Sequence, residues 1–340
     1  MGVENAEYMR IVVTDRPFPE PNPYDRLLDE IDDLYGDVID STEDEIVYAE
    51  CETEKETIEA CRDADVIITF IAPISERVLE ATNDVRLIIR QGAGYDNIDV
   101  QAATVRGIPV SNAPDYGSSD VASHGIALAL AASHDVVNGD RGLREGQGWG
   151  SSRVIHPIQG GTYGIVGLGR IGRRAVPMAR GLGMDVIAFD PLLDNDIFEQ
   201  LDVEQVSFDE LLQRSDCITL HAPLNTETYH QFSSEEFSQM KESAILVNVA
   251  RGPLVDEEAL VSAVENNEIR AAGLDVFEEE PPADSPVLTS DKIVCSPHHA
   301  GSSPTAKENK IKIVCEELER VLQGKTLHNL VNQEVYQYRE

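Results

Sequence analysis

The chain has 340 residues, 41% of them hydrophobic, enough for two domains with sizeable cores. It carries 62 acidic against 27 basic residues, a formal net charge of −35 at pH 7. Such a field repels nucleic acid and anionic membrane and excludes both as direct partners. The five cysteines are an odd set with no CxxC pair. No disulfide and no metal site is expected, and they read as reduced core thiols.

The basic residues are 20 arginines and only 7 lysines. A surface this acidic and lysine-poor fits a cytoplasm rich in salt, where screening relieves self-repulsion. The N-terminus, MGVENAEYMR, has no basic segment followed by an apolar run. No apolar stretch approaches a membrane span; the longest helical one is 126–132. A soluble, cytoplasmic protein is the expectation.

Residues 10–14 read as a strand, 16–24 with its four prolines as a loop, and 25–35 as a helix with Leu27, Leu28, Ile31 and Leu34 on one stripe. Within the acidic stretch 40–60, residues 46–49 suit a strand and 53–61 a surface helix. Residues 66–71 suit a buried strand, 75–81 a short helix and 87–89 another strand, an alternation that predicts a parallel sheet. The loop Arg90-Gln91-Gly92-Ala93-Gly94 follows. Two glycines at a parallel strand's carboxyl end suit either an anion-binding nest of backbone amides or a plain turn into the helix from Ile98. Arg90 beside them tilts the reading toward a small carboxylate. Val110 reads as a linking strand between domains. Residues 119–134 form a helix whose Ala122, Ala127, Ala129 and Ala131 permit close approach, inside its own domain or across a dimer. His124 and His134 on it read as structural, and Trp149, the only tryptophan, as a packing anchor.

The most informative stretch is 161–190. An apolar strand, 163–166, runs into Gly167-Leu168-Gly169-Arg170-Ile171-Gly172, then a helix to about 182, then a second strand, 186–189, that ends in Asp190. In a dinucleotide-binding unit Gly167 permits the tight turn, Gly169 lets backbone approach a pyrophosphate, and Gly172 lets the helix sit close on the sheet. Arg170 and Ile171 open the helix whose N-terminal amides and dipole face the phosphates. Asp190 is placed to accept hydrogen bonds from a ribose diol and to repel a 2′-phosphate, so NAD is expected rather than NADP. Pro177, in mid-helix, is expected to kink or restart that helix.

Further strands are expected at 217–220, 244–249, 271–276 (with Asp275 inside it) and 293–295, and helices at 207–213, 257–266 and 304–322. Asp256 suits an N-cap. His221, at a strand's end, reads as a fixed structural group. Arg251, Glu280 and His298 follow three consecutive strands. Singly each is an ordinary surface residue. Together they match reduction of a 2-oxo acid: a guanidinium fork for carboxylate and carbonyl, an imidazole that donates the proton, and a carboxylate that orients it.

The segments RQGAGYDNID (90–99), GIVGLGRIG (164–172), SDCITLHAPLNTET (215–228), LVNVARGPLVDEEAL (246–260), AAGLDVFEEEP (271–281) and SPHHAG (296–301) resemble D-isomer-specific 2-hydroxyacid dehydrogenases, most similarly the C-terminal-binding-protein branch. The resemblance implies an α/β fold of two Rossmann-like domains with parallel sheets. A nucleotide-binding domain, 109–301, is inserted into a smaller flavodoxin-like substrate domain, 1–108 with 302–340. It implies that Arg251 binds substrate, Glu280 supports the histidine and His298 donates the proton. Asp275 and the backbone from Val249 to Arg251 would contact the nicotinamide side, and the 222–228 loop, with Pro223, Asn225 and Thr228, would line the cofactor. The Gly92, Ala93 and Gly94 amides and Arg90 would hold the substrate carboxylate.

The implied activity is NAD-dependent interconversion of a small D-2-hydroxy acid and its 2-oxo acid by a homodimer joined through the nucleotide domains. Alternatives are an NAD(H)-sensing dimeric protein of corepressor type and a dehydrogenase of a non-carboxylate anion such as phosphite. The animal corepressors of the branch carry a tryptophan three residues past the catalytic histidine; this chain has Gly301 there. Formate dehydrogenases have glutamine in place of the glutamate, and nothing after 323 resembles the regulatory domains of long phosphoglycerate dehydrogenases.

Overall fold

The computed structural model describes residues 9–15, 45–150 and 155–338. The loop expected at 16–24 and the helix at 25–35 lie outside them. The chain divides into two compact units, Met1–Tyr116 with Pro304–Glu340, and Gly117–Ser303.

The first unit is built on five strands: β1 (Arg10–Val13), β2 (Glu45–Tyr48), β3 (Val66–Thr69), β4 (Leu87–Arg90) and β5 (Val110–Asn112). They pair in parallel in the order β2-β1-β3-β4-β5, the flavodoxin-like arrangement. Apolar residues occupy successive positions because both faces are covered. Ile11, Val13, Ile68 and Ile89 pack under Ile311, Val314 and Leu318 of the helix Pro304–Leu322. Val12, Ile67 and Ile88 pack on the other face with Val78, Leu79 and Ala103. Each fully buried Val, Leu or Ile side chain among them contributes about 2 kcal/mol.

Two expectations need correction here. β3 stops at Thr69 rather than running to 71. The Asp15 carboxylate, just past β1, accepts the N–H groups of Phe70, Ile71 and Ala72 at 2.9–3.2 Å and turns the chain out of the sheet. Val110 does not start a link between domains. It opens the edge strand of this sheet, in register with Ile88, and its N–H donates to Asn332 Oδ1 at 2.8 Å.

The second unit holds β6 (Thr162–Val166), β7 (Asp185–Phe189), β8 (Glu204–Gln205), β9 (Cys217–Leu220), β10 (Ile245–Asn248), β11 (Ala271–Leu274) and β12 (Ile293–Cys295). Their order is β12-β11-β10-β9-β6-β7-β8, all parallel. This is a doubly wound Rossmann order with one added edge strand. The helix Ser118–Ser133 buries Ala122, Gly125, Ala129 and Ala132 inside the unit. A Cβ on Gly273 would come within 2.8 Å of Leu128 Cβ, so helix and sheet are in contact there. The helix Arg170–Gly181 runs through Pro177 as one element rather than restarting. Capping boxes at Thr53 and Ser207 and the Asp256 cap start helices where side-chain oxygens meet open amides.

Trp149 is no packing anchor. It is 99% exposed, on a short 3-10 turn, Gly148–Gly150. All five cysteines are free; Cys51, Cys61, Cys217 and Cys315 are buried, but Cys295 is exposed at the end of the edge strand β12. Among the described residues no helix is long and apolar enough to cross a membrane.

Candidate active site

The strand order of the second unit reverses between β6 and β9, so the crevice at their carboxyl ends is where a doubly wound sheet takes its ligand. β6 leads into Gly167, at φ +91°. A Cβ there would lie 2.7 Å from Ala222 N and 2.8 Å from the His221 carbonyl carbon, so only glycine fits where this turn presses on the chain leaving β9. A Cβ on Gly172 would lie 2.3 Å from Gly167 O, so the helix seats directly on the turn. Gly169 differs: nothing lies within 4 Å of its Cβ position. Among the described residues this glycine packs against nothing and leaves space open above the turn. The helix begins there with no side-chain cap, so its first amides face that space without a side-chain acceptor. Asp190, half-buried after β7, accepts Leu168 N–H at 2.9 Å and Leu192 N–H at 3.0 Å. Turn, uncapped helix and acid fit the pyrophosphate and ribose of a dinucleotide.

The loop after β9 is closed by its own side chains. Thr228 Oγ1 donates to Pro223 O at 2.7 Å, and Asn225 Oδ1 accepts Glu227 N–H and Thr228 N–H at 2.8 and 3.0 Å. Asn225 and Thr228 thus shape the loop. His221 Nε2 lies 3.1 Å from Thr219 Oγ1, and burial pulls its pKa down to about 3, so it is neutral and fixed.

The next three strands end in the polar residues singled out above. Val249, past β10, is buried and packs on the helix at Gly125. Arg251 is half-buried; its Nη1 donates to Ala250 O at 2.7 Å, and its carbonyl accepts Asn248 Nδ2 at 2.7 Å. A Cβ on Gly252 would fall 1.8 Å from Phe277 O and 2.5 Å from Glu278 N. The turn after Arg251 therefore lies in backbone contact with the loop that carries Glu280.

Asp275 lies just past β11, not inside it, and is 1% exposed. Its Oδ1 accepts Ser296 Oγ at 2.6 Å and His299 N–H at 3.1 Å, and its Oδ2 accepts Ala300 N–H at 2.9 Å. Burial pushes its pKa up, but the hydrogen bonds from His124, Ser296, Ala300 and His299 outweigh that and hold it below the ordinary carboxylate range. The Asp275 carbonyl accepts His298 N–H at 2.8 Å. Asp275 thus binds down the loop that presents His298.

His298 sits at φ +46°, a conformation costly for a residue with a Cβ. Its Nδ1 lies 2.6 Å from Glu280 Oε2, while Glu280 Oε1 accepts Phe277 N–H at 3.1 Å. The carboxylate is fixed from behind and holds Nδ1, so Nε2 is the nitrogen left to exchange a proton. The His298 side chain is 48% exposed.

In the first unit a Cβ on Gly92 would lie 1.6 Å from Arg90 Nη1, because the guanidinium folds back over its own loop. Gly92 N–H is taken by the Arg90 carbonyl at 2.8 Å, so it does not point outward as an anion nest requires. The loop is pinned by Ala113 N–H to Gly92 O at 3.0 Å and by Asn112 Nδ2 to Ala93 O at 2.6 Å.

Residues 126–300 match the model of the D-isomer-specific 2-hydroxyacid dehydrogenase NAD-binding domain. This chain belongs to that family. It is 40% identical over 293 residues to a glyoxylate reductase of Korarchaeum cryptofilum, covering 84% of this chain and 88% of the relative. It is 41% identical over 306 residues to a D-3-phosphoglycerate dehydrogenase of Methanocaldococcus jannaschii, covering 88% of this chain but only 58% of that longer relative. Among solved structures it resembles a glyoxylate reductase from Paecilomyes thermophila, with TM-score 0.83 and 27% identity over 96% of this chain and 99% of that one. None of these is named as a corepressor, and that alternative gains no support.

In this member of the family the sequence pointed to His298 and Glu280, and the structure brings them together. It did not show that His124, read as structural, reaches from the helix Ser118–Ser133 to Ser296 Oγ at 2.8 Å and Asp275 Oδ1 at 3.5 Å. His299 also joins this group, its ring 5.0 Å from that of His124. A histidine in mid-helix carries no local signal of so distant a partner.

Proposed function

We propose that this chain interconverts a small D-2-hydroxy acid and its 2-oxo acid, with NAD as hydride carrier. The observation that carries the reading is the 2.6 Å contact between His298 Nδ1 and a Glu280 that is itself tied to backbone. NAD, when bound, supplies or accepts the hydride. Gly167, Gly169, Arg170, Ile171 and Gly172 would receive its pyrophosphate, Asp190 its ribose diol, and the 222–228 loop and the Asp275 region its nicotinamide half. In the reducing direction His298 gives the Nε2 proton to the forming alkoxide, and Glu280 stabilises the charged ring before the transfer. Arg251 offers its planar fork to the carboxylate and carbonyl, a task a point charge performs less well. Arg90 and the backbone amides of Ala93 and Gly94 would assist in holding the carboxylate.

A homodimer through the nucleotide unit is part of the proposal. Val136, Val137, Leu143, Trp149 and Ile155 are exposed apolar residues within one segment, the pattern of a surface that a second copy covers. A cytoplasmic location is also part of the proposal, and the free thiols are compatible with it. The test is NADH oxidation with glyoxylate, hydroxypyruvate and pyruvate at high salt. His298→Ala should lower turnover by about 10²–10⁴-fold while NADH binding persists; undiminished turnover would remove the assignment.

A further inference from the structure

We propose that Asp120 and His124 are positioning residues for His298: from one face of the helix Ser118–Ser133 they hold both ends of the loop that presents its imidazole. This rests on the dehydrogenase reading above.

This helix is almost without charge. Of its 16 residues, SSDVASHGIALALAAS, only Asp120 and His124 can ionise, in a chain that is 26% charged. They stand one turn apart on one face. Ala122, Gly125, Ala129 and Ala132 are buried, and a Cβ on Gly125 would lie 3.6 Å from Thr219 and Val249, so the helix is a fixed support. Both polar side chains reach the same short segment of chain. His124 Nε2 lies 2.8 Å from Ser296 Oγ, and Asp120 Oδ2 accepts the Ser303 hydroxyl. Ser296 and Ser303 flank His298.

The direction of the first bond follows from its neighbours. A hydroxyl has one hydrogen, and Ser296 gives it to Asp275 Oδ1 at 2.6 Å. Its oxygen therefore accepts from His124, which carries a hydrogen on Nε2. The same Nε2 lies 3.5 Å from Asp275 Oδ1, so the donor faces a hydroxyl and a carboxylate together.

The loop needs such holding. His298 has φ +46°, a backbone conformation that persists only where the surroundings over-determine it. Asp275 supplies one attachment: its carbonyl accepts His298 N–H, and its carboxylate accepts His299 N–H and Ala300 N–H. All of these run to the end of β11. The contacts from Asp120 and His124 run to a different element, and attachment to two elements removes the tilt that one leaves open. The His299 ring meets that of His124 edge-on, with 5.0 Å between centroids and 82° between planes, and adds a contact at the same place. Glu280 holds Nδ1 of His298, but the position of Nε2 also follows from the loop's backbone. A displacement of about 1 Å in a reacting group can cost about 100-fold in rate.

The experiment measures NADH oxidation with whichever of glyoxylate, hydroxypyruvate and pyruvate is reduced, together with amide hydrogen exchange of peptides spanning 296–303. His124→Leu and Asp120→Ala should each lower kcat at least about ten-fold while KM for NADH stays within about two-fold. Exchange in those peptides should quicken at least about ten-fold with the global unfolding midpoint little changed. His124→Gln places an amide N–H near the same point and should restore kcat to within about three-fold of the unmodified protein. A contact that only supported the fold would move the midpoint and show neither the split between kcat and KM nor the rescue. Ser296→Ala removes the same bond from the loop's side and carries the test if His124→Leu does not fold. The double variant should lose no more than about two-fold beyond Ser296→Ala alone, because both act along one path. Unchanged kcat, unchanged exchange, or losses that add in the double variant overturn the proposal. If no acid is reduced, the dehydrogenase reading falls, and hydrogen exchange alone decides whether the helix holds the loop.

Discussion

Replacing Asp275 with asparagine should separate the stability of the loop that carries His298 from its chemistry. The carboxylate is 1% exposed, and its two oxygens accept Ser296 Oγ, His299 N–H and Ala300 N–H. An amide has one oxygen, so in either orientation its NH2 group faces a backbone N–H that it cannot accept. One unsatisfied buried donor costs about 1–3 kcal/mol, and the remaining bonds lose their charge assistance, for a total of about 3 kcal/mol. Urea unfolding at fixed KCl measures it. Far-UV circular dichroism is the appropriate probe, since Trp149 is 99% exposed and its fluorescence reports little of folding. A loss below about 1 kcal/mol would refute the reasoning. The control is Glu280→Gln. The Glu280 side chain is 37% exposed, so its stability change should stay within about 1 kcal/mol. Its turnover should nevertheless fall at least about ten-fold, because His298 Nδ1 loses its carboxylate. Asp275 also fixes a pH dependence. Its folded pKa lies below the unfolded one, so its stabilisation is complete above the unfolded pKa and is lost as pH falls through the folded value. Asp275→Asn should remove that part of the acid sensitivity.

Two further outcomes are expected. Asp190→Ser removes the carboxylate that repels a 2′-phosphate, and the ratio of kcat/KM for NADPH to NADH should rise at least about ten-fold; an unchanged ratio would place coenzyme choice elsewhere. With a net charge of −35, the melting temperature should climb as KCl rises from about 0.1 M to about 1 M, as the screening length falls from about 10 Å to about 3 Å. A midpoint independent of salt would show that self-repulsion does not limit this fold.

The βα alternation and the glycine turn were legible because their signals are local. Strand, turn, helix and acid all lie within residues 161–190, and each constrains its neighbours. Strand ends were less legible, because distant residues set them. β3 stops where Asp15, more than fifty positions earlier, captures its amides. Asp275 leaves β11 because its side chain is drawn to the loop after β12. Edge elements were missed for want of pattern: β8 has two residues, and the helix Ser234–Gln239 buries only Phe237. The Glu280–His298 pair was visible as two strand-end residues. The support from His124 was not, since it comes from a helix placed before β6 in the chain. Trp149 misled because a lone indole is usually buried.

The backbone contact at Gly252 couples two neighbouring strand ends. With carbonyl and amide groups of 277 and 278 lying where a methyl would go, the arginine turn and the acidic loop cannot slide past each other. The spacing between the Arg251 turn and the loop that carries Glu280 is therefore set by main chain against main chain rather than negotiated by side chains. Selection for a larger or smaller acid has little to work with at that spot. Changes of taste in this lineage should accumulate in the residues around this seam and leave it untouched.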